Sequence, residues 1–123
     1  MISGVGVDIE NIRRFERLAA KHRSLSHIYG PAELALLASC GARSYAANYC
    51  AKEAFAKALG TGVRGFRLRE VELLRDSGGR PYYSLSGAAK LIAQSRGLVF
   101  HVSVTHSDEY AAAFAVAEGD EQN

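Results

Sequence analysis

The sequence predicts an α+β fold in which an antiparallel-rich sheet packs against helices. Three observations lead to that class. Strand-like and helix-like segments are mixed without the regular alternation that builds a doubly wound parallel sheet. The turn-forming run DSGGRP, residues 76–81, separates two short strand-like runs and so marks a hairpin. The length of 123 residues, 48% of them hydrophobic and 23% charged, suits one core and leaves little for a second. The domain is placed at residues 1–118, and 119–123 are expected to fray.

In chain order, Ile2 to Ile9 is rich in valine, isoleucine and glycine and reads as a buried strand. From Asn11 to His22 the period changes: Ile12, Phe15, Leu18 and Ala19 share a helical face, with Asn11 as N-cap. Pro31 suits the first turn of a second helix, PAELALLASC, which Gly41 would end. A longer helix runs from about Arg43 to Leu59 and is closed by Gly60. REVELLR and YYSLS are the strands of the hairpin. Gly87 to Ser95 forms a short helix, and LVFHVSVTH and EYAAAFAVAE supply two final strands.

The net charge of +2 gives no whole-molecule field that argues for nucleic acid or membrane. The N-terminus MISGVGVDIE lacks the basic and apolar segments of a signal peptide. No apolar run approaches the ~20 residues of a membrane span, so a cytoplasmic protein is expected. Cys40 and Cys50 form no CxxC pair and have no zinc-ligand cluster nearby; they read as small buried or half-buried thiols.

The run YCAKEAFAKALGTG, residues 49–62, sets Glu53 and Lys57 four residues apart in a helix that is otherwise mostly alanine and apolar. At 100° per residue, Ala51, Ala54, Phe55, Ala58 and Leu59 form a core-facing stripe. Glu53 and Lys57 project from nearly the opposite side, which Ala46, Tyr49, Cys50 and Ala56 share, with Lys52 on the flank. A helix apolar on almost every side is covered on every side, so both charges are expected where water is restricted. An exposed Glu–Lys pair at this spacing contributes only about 0.3–0.5 kcal/mol. A buried carboxylate costs several kcal/mol without a compensating cation or dense hydrogen bonding. The pattern alone leaves a solvated pair and a site with an external partner (subunit, metal or phosphate) both open. A magnesium site needs a second acid. Asp8, at the end of the first strand, is the best candidate and Glu10 an alternative; Asp8 as a helix cap is the competing reading.

Taken together, GVGVDIENIRRFERL, PAELALL, YCAKEAFAKALGTG, EVELLRDSGGRPYYSLSG and HVSVTHSDEYAAAFAVAE resemble the bacterial holo-acyl-carrier-protein synthases, the small group of the phosphopantetheinyl transferases. The resemblance spans nearly the whole chain. It implies the phosphopantetheinyl transferase fold and a Mg²⁺-dependent transfer of phosphopantetheine from coenzyme A to a serine hydroxyl of an acyl carrier protein, releasing adenosine 3′,5′-bisphosphate. It makes Asp8 and Glu53 the metal ligands, Lys57 a phosphate contact and His106 a group near the coenzyme A phosphates. It assigns Gly79, Arg80 and Pro81 to a turn lining the nucleotide pocket of a neighbouring subunit in a homotrimer. The chain departs from the family's GRFAAKEA-like run, having Ala47-Asn48-Tyr49-Cys50 before AKEA. The absent basic residue at 48 puts one phosphate contact in question, and SVTH for SxSH is a mild change.

Charge neutralisation and alignment are what phosphoryl transfer asks of a protein. Magnesium on Asp8 and Glu53, with Lys57 beside the leaving phosphate, meets that demand, and Glu53 acting through water is the preferred base. Arg13, Arg17 and Lys21 fall at i, i+4 and i+8, with Arg14 beside them, a stripe suited to an acidic carrier. As residues alone the stripe reads as a solvated helix face, because Glu10 and Glu16 moderate its charge. Two other classes are weighed: a non-catalytic carrier-binding relative, motivated by Asn48, and a nucleic-acid-binding domain, which the missing aromatics and small net charge disfavour.

Overall fold

Ten residues, Ile2–Asn11, form the first strand, β1, of a computed structural model that describes residues 1–20 and 25–119. Helices α1 (Arg13–Ala19), α2 (Pro31–Leu37) and α3 (Ala42–Leu59) follow. After a 3-10 turn at Leu68–Glu70 come β2 (Val71–Arg75), β3 (Pro81–Leu85), α4 (Gly87–Ser95), β4 (Leu98–His106) and β5 (Tyr110–Gly119). The α+β class and antiparallel pairing are as expected, but the strands make two sheets rather than one. One has the order β1-β5-β4 and the other is the β2-β3 hairpin.

Helix α3 is the axis of the core. Its predicted stripe of Ala51, Ala54, Phe55, Ala58 and Leu59 is buried throughout. One side meets the inner face of the three-stranded sheet, where Ala111, Ala113, Ala115 and Ala117 of β5 are all buried. Phe55 packs against Phe100 of β4, the ring centroid 4.2 Å away, and against Phe66 and Tyr83 beyond the sheet. Tyr83 donates its hydroxyl to Ala51 O at 2.6 Å, tying the hairpin to α3. Gly60 ends the helix at φ +89°, where a residue without Cβ is favoured.

The inner residues of β1 set its distance from α3. A Cβ on Gly6 would lie 2.1 Å from Ala54 O, and one on Gly4 would lie 2.1 Å from Ala58 O. Only glycine permits this approach. The alternate residues Val5, Val7 and Ile9 point away and are more than half exposed, at 53%, 58% and 63%. β1 is therefore an edge strand buried on one face only, which narrows the buried strand expected from its composition; apolar residues of period two fit either case.

Other boundaries also move. β1 continues through Asn11, and Ile12 occupies the N-cap position of α1. Asn11 still accepts a bond from Arg13 N at 2.9 Å, so its side chain serves the helix start from one residue further back. His22, the expected end of that helix, lies outside the described residues. α2 stops at Leu37, and Gly41, instead of ending it, precedes α3 in extended backbone. Gly119, assigned to the fraying tail, pairs with Leu98 in β5. Cys50 is buried as expected, but Cys40, in the short link between α2 and α3, is exposed. No described helix is long and apolar enough to cross a membrane.

Candidate functional site

Alternation along β1 puts Gly4, Gly6, Asp8 and Glu10 on the face toward α3. The glycines bring the strand against the helix, and Asp8 emerges one step beyond the contact. Lys57 reaches across from α3: its Nζ donates to Val7 O at 2.9 Å and pairs with Asp8 Oδ1 at 3.3 Å. Asp8 is thus held by a cation and is not a helix cap. Its other oxygen, Oδ2, is buried and has no hydrogen-bond partner. An orphaned carboxylate oxygen is costly unless something else completes it.

Glu53 joins this cluster from α3. Burial holds its carboxyl above the usual carboxylate range, and the negative charge of Asp8 adds to the effect; the charges of Lys57 and Arg14 and a hydrogen bond from Tyr49 oppose it. Glu10 is raised for the same two reasons, burial first and Asp8 second. Cys50, packed behind the acids with its thiol directed to Ala111 O, is pushed up to about 12 by burial and by Asp8 and Glu10. Three carboxyls converge on one place, with Lys57 and Arg14 as counter-charges.

The expectation that water is restricted around both helix charges holds for Glu53, which is half-buried, and fails for Lys57. The Lys57 side chain is 52% exposed against 12% for Asp8, although its ammonium is tied to Val7 O and Asp8. Among the described residues no group of three or more His, Cys, Asp or Glu side chains could hold a metal ion. Asp8 and Glu53 bring two carboxylates to this place, and Oδ2 of Asp8 has no hydrogen-bond partner. Hard oxygen donors in that number fit a hard divalent cation that keeps water and phosphate in its remaining positions.

The other predicted residues come from other elements, and His106 shares its register level, on Ala111, with Glu10. His106 is exposed at the end of β4, opposite Ala111, with β5 between it and β1. Gly79, Arg80 and Pro81 form the β2-β3 turn, where Gly79 adopts φ +87°. Arg80 and Pro81 line a cleft of ≈ 340 Å³ with Asp76, Tyr82, Phe100, His101 and Val102. On α1, Arg13 and Arg17 are exposed, whereas Arg14 is bonded to Glu10; Lys21 lies outside the described residues.

Sequence reasoning missed the strongest buried charges. Lys52 is fully buried on another face of α3 and donates to Glu33 Oε1, Val71 O and Leu68 O. Asn48, one turn earlier, donates Nδ2 to Glu33 Oε2 at 2.9 Å and to Leu73 O at 3.1 Å. Position 48 thus belongs to this network joining α2, α3 and β2, away from Lys57, and the missing basic residue leaves the Asp8–Lys57 cluster untouched. The available signal was Lys52 itself, a charge on a helix with no polar face. Its partner Glu33 could not be named without the fold.

The chain's similarity to known proteins runs over its whole length. A family model described as the 4′-phosphopantetheinyl transferase superfamily matches residues 4–115. A holo-[acyl-carrier-protein] synthase of Clostridium kluyveri is 40% identical over 124 residues, covering 98% of this chain and 92% of the relative. The crystal structure of the holo-[acyl-carrier-protein] synthase of Neisseria meningitidis superposes with TM-score 0.87 at 33% identity, covering 96% of this chain and 99% of that one. The Bacillus anthracis synthase, in complex with CoA (3′,5′-ADP), gives TM-score 0.81 at 28% identity over 98% and 99% of the two chains.

Proposed function

The chain belongs to the 4′-phosphopantetheinyl transferase superfamily, and from that membership we propose that it transfers phosphopantetheine from coenzyme A to a serine hydroxyl of an acyl carrier protein. The observation that carries this reading is the meeting of Asp8, Glu53 and Lys57 where β1 crosses α3, with one Asp8 oxygen left unsatisfied. The Bacillus anthracis relative, solved with CoA (3′,5′-ADP), supports coenzyme A as the donor.

Asp8 and Glu53 would hold Mg²⁺. When bound, the metal supplies positive charge to the pyrophosphate oxygens. Lys57, its ammonium held by Val7 O and Asp8, contributes a second positive charge beside the leaving phosphate. The carrier's serine oxygen forms the new bond to phosphorus as the bond to adenosine 3′,5′-bisphosphate breaks. Glu53, its carboxyl raised by burial, accepts the serine proton through a water. Arg13, Arg14 and Arg17, with Lys21 next in sequence, form the docking face for the acidic carrier.

His106 lies near the coenzyme A phosphates, and the Gly79-Arg80-Pro81 turn acts on coenzyme A from a neighbouring copy. The turn's place beside β4, at the edge of the sheet away from β1, supports this, as does the uncovered outer sheet face. Val5, Val7, Ile9, Val99 and Phe114 are all exposed there, and such a patch on one face marks an interface. A homotrimer with its sites between subunits accounts for both. The non-catalytic alternative rested on Asn48, whose place in the buried network removes its motive.

The test is transfer itself. Mg²⁺, coenzyme A and apo carrier are mixed with the enzyme, and the carrier is weighed for the gain of phosphopantetheine. Asp8→Ala and Glu53→Ala are expected to lose transfer while keeping native circular dichroism. Normal turnover by Glu53→Ala sinks the mechanism, and a monomer by light scattering sinks the shared site.

A further inference from the structure

Arg14 is the one arginine of the α1 stripe with an ion pair among the described residues. Its Nη1 meets Glu10 Oε1 at 2.7 Å, in the i, i+4 arrangement. Arg13 and Arg17 have no side-chain ion pair among the described residues. The two partners differ in environment: the Arg14 side chain is 57% exposed and that of Glu10 only 16%. The guanidinium is also seated on aromatic rings, its Cζ 5.5 Å from the centroids of both Phe15 and Tyr49.

Two consequences follow. The rings also seat Arg14, so Glu10 is not its sole support. Glu10 neutralises the guanidinium and presents a negative charge to any acidic surface that approaches. An acidic partner reaching Arg14 must therefore compete with a carboxylate that is already bonded.

Resting on the docking reading above, we propose that Glu10 sets the affinity of the enzyme for its carrier by competing with the carrier's acidic side chains for Arg14. Glu10 is an affinity-determining residue that acts through Arg14 and touches neither serine nor coenzyme A. Its effect is to keep the docking face weaker than bare arginines would make it. A loosely held carrier leaves sooner once modified, because affinity differences among related complexes reside chiefly in the dissociation rate.

The experiment measures binding without turnover. A labelled apo carrier lacking its acceptor serine is titrated, by fluorescence anisotropy, into the full-length enzyme and its Glu10→Gln, Arg14→Gln, Arg17→Gln and Glu10→Gln/Arg14→Gln variants. Glu10→Gln is expected to tighten Kd about three- to tenfold, the range for releasing a half-buried charge-assisted pair. Arg14→Gln is expected to weaken binding, and in its background Glu10→Gln is expected to have little further effect. Unchanged or weaker binding in Glu10→Gln, with Arg14→Gln weakened, overturns the proposal and leaves the docking face standing. Equal gains from Glu10→Gln with and without Arg14 also overturn it, showing general repulsion only. Unchanged Kd in both Arg14→Gln and Arg17→Gln overturns the docking face and the proposal with it. Native circular dichroism and an unchanged oligomeric state are required of each variant, and Glu10→Asp, which restores the charge, is expected to return Kd toward that of the parent.

Discussion

Lys52 and Glu33 meet in the interior, Nζ to Oε1 2.5 Å, with neither side chain exposed. Burial lowers the lysine and raises the glutamate, and each charge is kept by the other and by surrounding hydrogen bonds. Lys52→Met leaves Glu33 unpaired and is expected to cost about 3–5 kcal/mol, seen as a lower urea midpoint. Adding Glu33→Leu removes the orphaned charge and is expected to recover part of the loss. A double variant no better than the single shows that the remaining network, not the pair, sets the cost.

Gly6→Ala tests the contact between strand and helix. The new Cβ falls 2.1 Å from Ala54 O and 2.7 Å from Ala58 N, both backbone, so β1 must retreat from α3. Overpacking of this kind costs about 1–3 kcal/mol. Because Asp8 rides on the same strand, the variant is also expected to weaken Mg²⁺ binding in titration calorimetry. A variant with parental stability and metal affinity refutes the tight contact.

Two tyrosines resist alkali. Burial raises Tyr29 and Tyr83 above the usual value of about 10, and both hydroxyls donate to backbone carbonyls, of Tyr45 and Ala51. A folded-state value above the unfolded one stabilises fully below pH of about 10 and is lost as pH climbs toward the folded value. Stability is therefore expected to fall above pH of about 10, and Tyr83→Phe to flatten the fall. Absorbance at the tyrosinate band is expected to show these two rings ionising only on unfolding.

The cysteines separate by exposure. Cys40 is exposed and Cys50 is fully buried with its thiol raised. A thiol reagent at neutral pH is expected to modify one cysteine per native chain and two after denaturation. Cys40→Ser is expected to abolish the native signal; a persistent signal means that Cys50 is reachable.

Most of the fold was legible because periodicity is local. The apolar stripe of α3, the hairpin around DSGGRP and the limits of α4 follow from spacing and turn residues alone. The role of Gly41 was misread because glycine both ends and precedes helices. The exposure of Val5, Val7 and Ile9 was invisible, since an aliphatic face reads alike whether the cover comes from its own chain or another. At the site, Glu53 stood out as an acid on a helix without a polar face, and Asp8 was weighed both as its partner acid and as a helix cap. The Lys52–Glu33 and Arg14–Glu10 pairs needed three-dimensional information or competed with other readings. Glu33 is 19 residues from its partner, and Glu10 was first weighed as a ligand.

β1 also carries two messages on alternate letters. Its even residues, from Gly4 to Glu10, face α3 and bear the acids; its odd residues, Val5, Val7 and Ile9, bear only grease and face outward. The odd set can change among apolar residues without disturbing the even set, whose glycines are fixed by the helix. Insertion or deletion of one residue ahead of Asp8 exchanges the two faces, sending the valines against the helix and the acids into solvent. The strand is thus tolerant of spelling on its outer letters only and intolerant of frame throughout, and chemistry and surface would fail together at a single slip.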